Sequence, residues 1–452
     1  VDSFDRLVGG IILGLIAAIG LVVAAGDRVG LSVDRVSPAD GGQPSATTAI
    51  RVTFTEPVDR ASAEACFRIE PASEGAFSWP GDDTLVFSPA EPLTPSRTYV
   101  VTVGPGVVSQ RGRRMRRAES WSFTPRGSSV LYLAPGDVQI RGLWVVGLDG
   151  GEGREIYSPE YGVFDFEPSP DGSQIALTVF DAEGATDVWL IDASGANPHR
   201  LTDCSPASCS GPAWSPDGGL LAYERREQAL TGGSGPSRVW LIDPASGDTS
   251  PVYEDNQVLG FGPRWSADGE RLAFFDANAQ AIRVLELDTG QGDLIPSQMG
   301  EVGTFDPAGD AMVYVDIRPV GRQYFPQLWE AELGADGGIR PLFSDDAEED
   351  SAPAWSPGGE VLAFARRRLD RQEGWGSQLM LYDFSGERLE QVTDAPEYNN
   401  TRFTWEPGGE RLLVQRFNLD VTYAKPEIWL YDLGADEFTL LVENGFGGLW
   451  LP

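Results

Sequence analysis

Beyond about residue 126 the chain alternates apolar and polar positions in short runs that break at Pro, Gly and Asp, the period-two signature of β-strands. The runs recur. A proline or aromatic followed by a Ser/Asp/Glu-containing turn ending in glycine stands at Pro168-Ser169-Pro170-Asp171-Gly172, Trp214-Ser215-Pro216-Asp217-Gly218, Trp265-Ser266-Ala267-Asp268-Gly269, Phe305-Asp306-Pro307-Ala308-Gly309, Trp355-Ser356-Pro357-Gly358-Gly359 and Trp405-Glu406-Pro407-Gly408-Gly409, with a truncated copy at Trp450-Leu451-Pro452. A period near 45 residues is the length of one four-stranded propeller blade. Glycine accepts positive φ at the turn, and an alternating strand follows, such as Leu220-Leu221-Ala222-Tyr223. A third strand ending in an acid comes next, such as Val239-Trp240-Leu241-Ile242-Asp243, and then a short fourth.

Two fragments complete the count. Val130 to Tyr157 holds three strands without a first, and Gly447 to Pro452 is a first strand with nothing after it. Pairing them removes both exposed edges. The expectation is an all-β chain with a seven-bladed β-propeller over 126–452. Six blades, with Val130 to Tyr157 packed outside, is the alternative.

Residues 30–125 differ in pattern. Short alternating strands at Ile50-Arg51-Val52-Thr53-Phe54, Thr84-Leu85-Val86-Phe87, Thr98-Tyr99-Val100-Val101-Thr102-Val103 and Ser120-Trp121-Ser122-Phe123 are separated by Pro, Gly and Asp turns. This predicts an Ig-like β-sandwich. Its motif order resembles the bacterial Ig-like domain of SbsA-type S-layer proteins. The W-S-P-D-G, L-A-F/Y, I-W-L-I-D and R-L-T elements of the propeller resemble the TolB-like family. That resemblance implies a propeller of the kind found in periplasmic protein binding, peptidase gating domains and some polysaccharide lyases. TolB itself is similar to a six-bladed ring with an amino-terminal α/β domain, which this chain does not show.

Residues 1–29 read as a membrane helix: Leu7 to Gly26 carries no charge and as a helix is about 30 Å long, the thickness of a bilayer core. It is either an uncleaved signal anchor or a signal peptide cut after Val23-Ala24-Ala25. Gly10 and Gly14 form a small-xxx-small pair, with chance the simpler reading. Both alternatives place the rest outside the cytoplasm, single-pass at the cytoplasmic membrane or secreted. Cysteine usage agrees. Cys204 and Cys209, five apart in a Ser/Pro loop, read as a disulfide, and Cys66 as a small buried strand residue.

Charge narrows the partners. With 68 acids against 34 Lys plus Arg, net −34, nucleic acid is excluded as a partner. Within this acidic chain Arg111, Arg113, Arg114, Arg116 and Arg117 lie in one seven-residue run. They read as a solvated loop, or as a contact to an anionic lipid or wall surface. The run Asp345-Asp346-Ala347-Glu348-Glu349-Asp350 reads as a solvated interblade loop. It lacks the spacing of a dedicated metal site, so the expectation is no cofactor beyond weak Ca2+.

The segments joining second to third strands read as long loops in four blades: Arg225 to Ser237, Ile317 to Pro326, Arg366 to Gly376 and Arg416 to Pro426. They carry Arg226, Arg318, Arg322, Tyr324, Phe325, Arg366, Arg367, Arg368, Trp375, Arg416 and Tyr423, and arginine with aromatics is the composition of binding hot spots. The competing reading pairs the arginines within the blades. The sole histidine, His199, leaves no Ser/His/Asp triad and no multi-histidine metal site, so the sequence reads as non-enzymatic. The expectation is a membrane-tethered extracytoplasmic scaffold whose propeller captures an envelope protein or glycan. The alternatives are a polysaccharide-acting enzyme using carboxylates of the central funnel, and a structural coat component.

Overall fold

The computed structural model describes residues 31–46, 48–90, 92–95, 97–148, 151–229, 234–320, 322–334, 337–343, 348–369 and 376–452. The chain divides into two compact units, Val1–Arg126 and Gly127–Pro452. The uncharged run Leu7 to Gly26 lies outside the described residues, as do Asp345, Asp346, Ala347 and Trp375. No helix among the described residues is long and apolar enough to cross a membrane.

The first unit is a β-sandwich. One sheet runs in the order Val33–Ser37, Ile50–Phe54, Thr84–Pro89, Gly75–Ser78, and the other in the order Phe67–Glu70, Tyr99–Val103, Glu119–Phe123. Alternation sends Ile50, Val52 and Phe54 of one sheet and Tyr99, Val101 and Val103 of the other into a shared core. A short helix, Arg60–Cys66, absent from the sequence reading, starts where the Asp59 side chain accepts the Ser62 N–H at 2.9 Å. Cys66 is therefore the half-buried last residue of a helix and not a buried strand residue; its thiol faces the Pro105 carbonyl.

Among the described residues the second unit forms seven four-stranded antiparallel sheets. In six of them the strands follow chain order. In the remaining one the order is Arg154–Tyr157, Gly142–Gly147, Ser129–Ala134, Phe446–Leu451, so the last strand of the chain joins the first three. Trp450 pairs with Val130 and Leu451 with Ser129. This composite sheet packs on both neighbours. Leu131, Leu133 and Leu143 meet Val163, Ile175 and Leu177, while Val130, Tyr132 and Trp450 meet Leu413, Ile428 and Leu430.

Tryptophan side chains tie successive sheets together. Trp214 Nε1 donates to the Glu167 carbonyl at 3.2 Å, Trp265 Nε1 to Ala213 O at 2.9 Å and Trp405 Nε1 to Ala354 O at 2.9 Å. Trp450 Nε1 donates to Thr404 O at 2.9 Å, the same bond carried from the last sheet to the first. The repeat turns carry glycine at positive φ, for example Gly218 at 71° and Gly269 at 77°, which is the conformation the recurring Gly supplies.

Two of the expected long loops are paired strands. Ala311–Val320 and Gln323–Glu332 stay in register out to Val320 against Gln323, and Leu221–Gln228 pairs with Ser234–Ile242. Ile317-Arg318-Pro319-Val320 facing Gln323-Tyr324-Phe325-Pro326 offers enough β-forming side chains to continue the ladder as far as the Val320–Gln323 pair. The acidic run is corrected too. Its second half begins the strand Glu348–Trp355, where Arg366 bonds Asp350 at 2.7 Å and Glu348 at 2.6 Å, and Arg367 pairs with Glu349.

Candidate functional site

The first strand of every sheet contributes residues to a set of connected axial cavities. They come from the strands Phe446–Leu451, Val163–Pro168, Ser208–Trp214, Phe261–Trp265, Thr304–Phe305, Glu348–Trp355 and Tyr398–Trp405. One residue before the repeat aromatic or proline, these strands carry Glu167, Ala213, Arg264, Thr304, Ala354, Thr404 and Leu449, each opposite an apolar residue of its second strand. Most of this column is small or weakly polar. Leu449 is apolar, and Glu167 and Arg264 alone among the seven are charged.

A second charged level lies two residues earlier. Asp165 shares a face with Glu167, because side chains alternate along a strand, and Arg402 enters from the seventh sheet. Three of the other five strands have glycine at this level, Gly211, Gly262 and Gly447, at φ of 62°, 68° and 71°, where the inner-strand register shifts. Without side chains at these bulges a cavity of about 250 Å³ remains, lined by Asp165, Glu167, Glu224, Arg264 and Arg402 with Leu133, Phe164, Phe446 and Leu449. A wider space of about 770 Å³ continues along the axis past Thr304, Thr404, Trp355 and Trp405, sharing Glu167, Arg264 and Arg402 with the first.

These charges perturb one another. Burial pushes the Asp165 carboxyl up to about 6, with the Glu224 charge adding to the effect; the Thr178 hydroxyl, the Gly211 N–H (3.2 Å) and Arg402 oppose it. Burial likewise pushes Glu167 up to about 7, against the pull of Arg264, the Trp214 N–H and Arg402. Glu224 is raised by burial and held by the Gly262 N–H at 2.9 Å. Arg402 is lowered, first by its enclosure and then by repulsion from Arg264. The residue is exposed, and an arginine keeps its proton throughout the ordinary pH range. Asp165 Oδ1 is buried without a hydrogen-bond partner. Two acids whose proton affinity is raised toward neutrality, beside two guanidiniums, can bind ions of both signs and can give or take a proton.

None of the described loop residues singled out from sequence lines this shaft, and Trp375 lies outside the described residues. Arg226, Arg322, Tyr324 and Tyr423 are exposed, Phe325 is half-buried, and Arg318 donates to Gln327 Oε1 at 3.1 Å. Arg367 is engaged by Glu349, and Arg368 lines a separate cavity of about 230 Å³ with Gln378 and Asp394. Arg416 is not presented to solvent. It is 5% exposed and stacks on Tyr398 at 4.1 Å, Trp429 at 5.0 Å and Phe438 at 5.5 Å. In the sandwich, Arg111, Arg114, Arg116 and Arg117 are exposed around buried Met115, and Arg113 reaches Glu56 at 3.7 Å. Cys204 and Cys209 are joined by a disulfide. No group of three or more metal-ligating side chains occurs among the described residues.

Residues 27–125 match the bacterial Ig-like domain family. The Agrobacterium fabrum protein Atu1656 is 26% identical over 217 residues, 44% of this chain and 68% of that one. The Bacillus subtilis peptidase YuxL is 29% identical over 112 residues, 24% of this chain and only 16% of YuxL. Among solved structures, oligogalacturonate lyase of Vibrio parahaemolyticus superposes with a TM-score of 0.51 at 12% identity, over 70% of this chain and 86% of that one. A puromycin hydrolase gives 0.50 at 14%, over 71% and 53%. TolB of Acinetobacter baumannii gives 0.41 at 15%, over 69% and 79%.

The chain thus joins a bacterial Ig-like domain to a propeller-like β unit with TolB and other propellers among its structural neighbours. The expectation of a non-enzyme does not stand. Proteins of this fold include a lyase and a hydrolase, and a stretch of the chain aligns with a protein named as a peptidase. The histidine count bears only on histidine-dependent chemistry, and the ionisable groups gathered at the axis are carboxyls and guanidiniums.

Proposed function

We propose that the seven sheets are the blades of one closed propeller, that it works outside the cytoplasm, tethered through residues 7–26, and that it captures an envelope protein or glycan by a polar group entering the axial shaft. One observation carries this reading: Asp165, Glu167, Glu224, Arg264 and Arg402 converge on a cavity whose other lining residues are glycine, proline, leucine and phenylalanine. Charges placed there cost stability in the empty protein, which is the usual sign of a binding or reactive centre. The Cys204–Cys209 disulfide supports an oxidising compartment. The exposed arginines at 111–117 would hold the Ig-like module to an anionic lipid or wall surface.

The test is retention of solubilised envelope peptides and glycans by the immobilised full chain and by an Arg402→Ala/Glu167→Gln variant of equal melting temperature. Ligands held by the first and lost by the second support the shaft; equal retention overturns it. A second reading is acid–base action on a polysaccharide, favoured by the raised proton affinity of the neighbouring Asp165 and Glu167. Turnover that Glu167→Gln abolishes while binding persists would establish it.

A further inference from the structure

Hydrogen-bond accounting in the 250 Å³ cavity narrows the ligand chemistry. Among the described residues no group accepts a hydrogen bond from the Arg402 guanidinium, and the Arg264 guanidinium reaches only the Pro263 carbonyl, at 3.4 Å. Each guanidinium carries five donors in a planar fork suited to a carboxylate. On the acid side, Asp165 accepts the Gly211 N–H through Oδ2 at 3.2 Å, while its Oδ1 is buried beside the Thr178 hydroxyl without a full hydrogen bond, and no cation among the described residues pairs with the carboxyl. Arg402 and Arg264 come from the seventh and fourth sheets, and both acids from the second sheet between them. A lone anion would satisfy the arginines and leave the acids unmet; a lone cation would do the reverse. A group bearing both charges on one carbon answers both.

We propose that the axial cavity holds an α-amino-acid group, its carboxylate between Arg264 and Arg402 and its ammonium against Asp165 and Glu167. This rests on the shaft being the binding site and names what enters it. The group is either a free amino acid or one borne on a side branch of an envelope polymer. The cavity volume suits one such residue, and the exposed rings of Phe164 and Phe446 at its lining meet an apolar side chain.

Proton linkage gives the assignment a sign. The groups facing the ligand are Asp165, Glu167, Glu224, Arg264 and Arg402, with Arg226 acting on Glu224. An ammonium stabilises ionised Asp165 and Glu167, so binding releases protons, and affinity rises from about pH 5.5 to about pH 8. An anion without an ammonium favours the protonated acids and shows the opposite slope.

The experiment is titration calorimetry of the full chain with free L- and D-amino acids, with the matching α-hydroxy acids and amines, with galacturonate, and with amino-acid-bearing wall fragments. Buffers of different ionisation enthalpy report the protons. The expected result is binding of an amino acid or of such a fragment with proton release. The hydroxy acid and the amine bind roughly tenfold or more weakly. Arg402→Ala weakens amino acid and hydroxy acid alike, and Asp165→Asn weakens amino acid and amine alike. Binding by the fragment alone assigns the polymer-borne source, and binding by the free amino acid alone assigns the metabolite. Galacturonate binding with proton uptake overturns the amino-acid assignment and leaves the shaft as the site. If none of the probes binds, the assignment falls, whether or not Arg402→Ala/Glu167→Gln still abolishes envelope capture.

Discussion

Gln415 Oε1 accepts a hydrogen bond of 2.9 Å from the Gly447 N–H, and its amide nitrogen donates to Glu427 O at 2.9 Å and Gly445 O at 3.1 Å. One buried amide thus holds the final strand against the seventh sheet. Glu224 makes the equivalent bond to Gly262 within the ring, so the junction of the two chain ends reuses an internal contact.

Replacing Gln415 by alanine strands these groups in a dry environment. The expected cost is about 2–4 kcal/mol in equilibrium denaturation. Removing residues 445–452 exposes the edge of Ser129–Ala134 and is expected to abolish the cooperative transition. A truncated chain that melts at the full-length temperature would show that the last strand does not close the fold.

The shaft acids predict how stability follows pH. Their folded proton affinity is raised to about 6 at Asp165 and about 7 at Glu167, above the ordinary carboxyl range, so between about pH 4 and pH 7 the folded state binds more protons than the unfolded state. Their contribution is fully present below the unfolded value and is lost as pH rises through 6 and 7. Asp165→Asn and Glu167→Gln are each expected to raise stability at pH 8 by roughly 1–2 kcal/mol and to flatten the slope. Denaturation midpoints at pH 5 and pH 8 check this; wild-type-like slopes in both variants refute it.

Arg416 and the hairpin residues separate by their surroundings. Arg416→Ala empties a cage of three aromatic rings and is expected to cost about 3 kcal/mol. Arg416→Lys restores only part, because an ammonium lacks the planar stacking surface. Arg322→Ala and Tyr324→Ala touch exposed side chains and are expected to leave the melting temperature unchanged.

Cys204 and Cys209 close a short loop with both residues buried. The double alanine variant is expected to lose about 2 kcal/mol, and the wild type the same on reduction. Equal stability of oxidised and reduced protein would deny the bond a structural part.

The sheets were legible because each is specified locally. Trp-Ser-Pro-Asp-Gly sets a turn, and the apolar alternation after it sets a strand, independent of distant sequence. The pairing of Trp450 with Val130 was legible because two incomplete sets of strands needed one another. The axial site was not, since Asp165, Glu167, Arg264 and Arg402 stand at repeat positions where the eye follows the neighbouring aromatic. The signal was in the column before that aromatic, where Glu167 and Arg264 replace residues such as Ala213 and Ala354. Exposure was harder still. Arg416 and Arg322 lie in matching stretches of sequence, and only the rings of Tyr398, Trp429 and Phe438 distinguish a caged guanidinium from a free one.

Ser129 and Leu451 face each other at one end of the composite sheet. Tension applied through both ends would load that antiparallel pair like a zip, parting its hydrogen bonds in succession instead of shearing them together. A clasp built this way resists heat well and traction poorly.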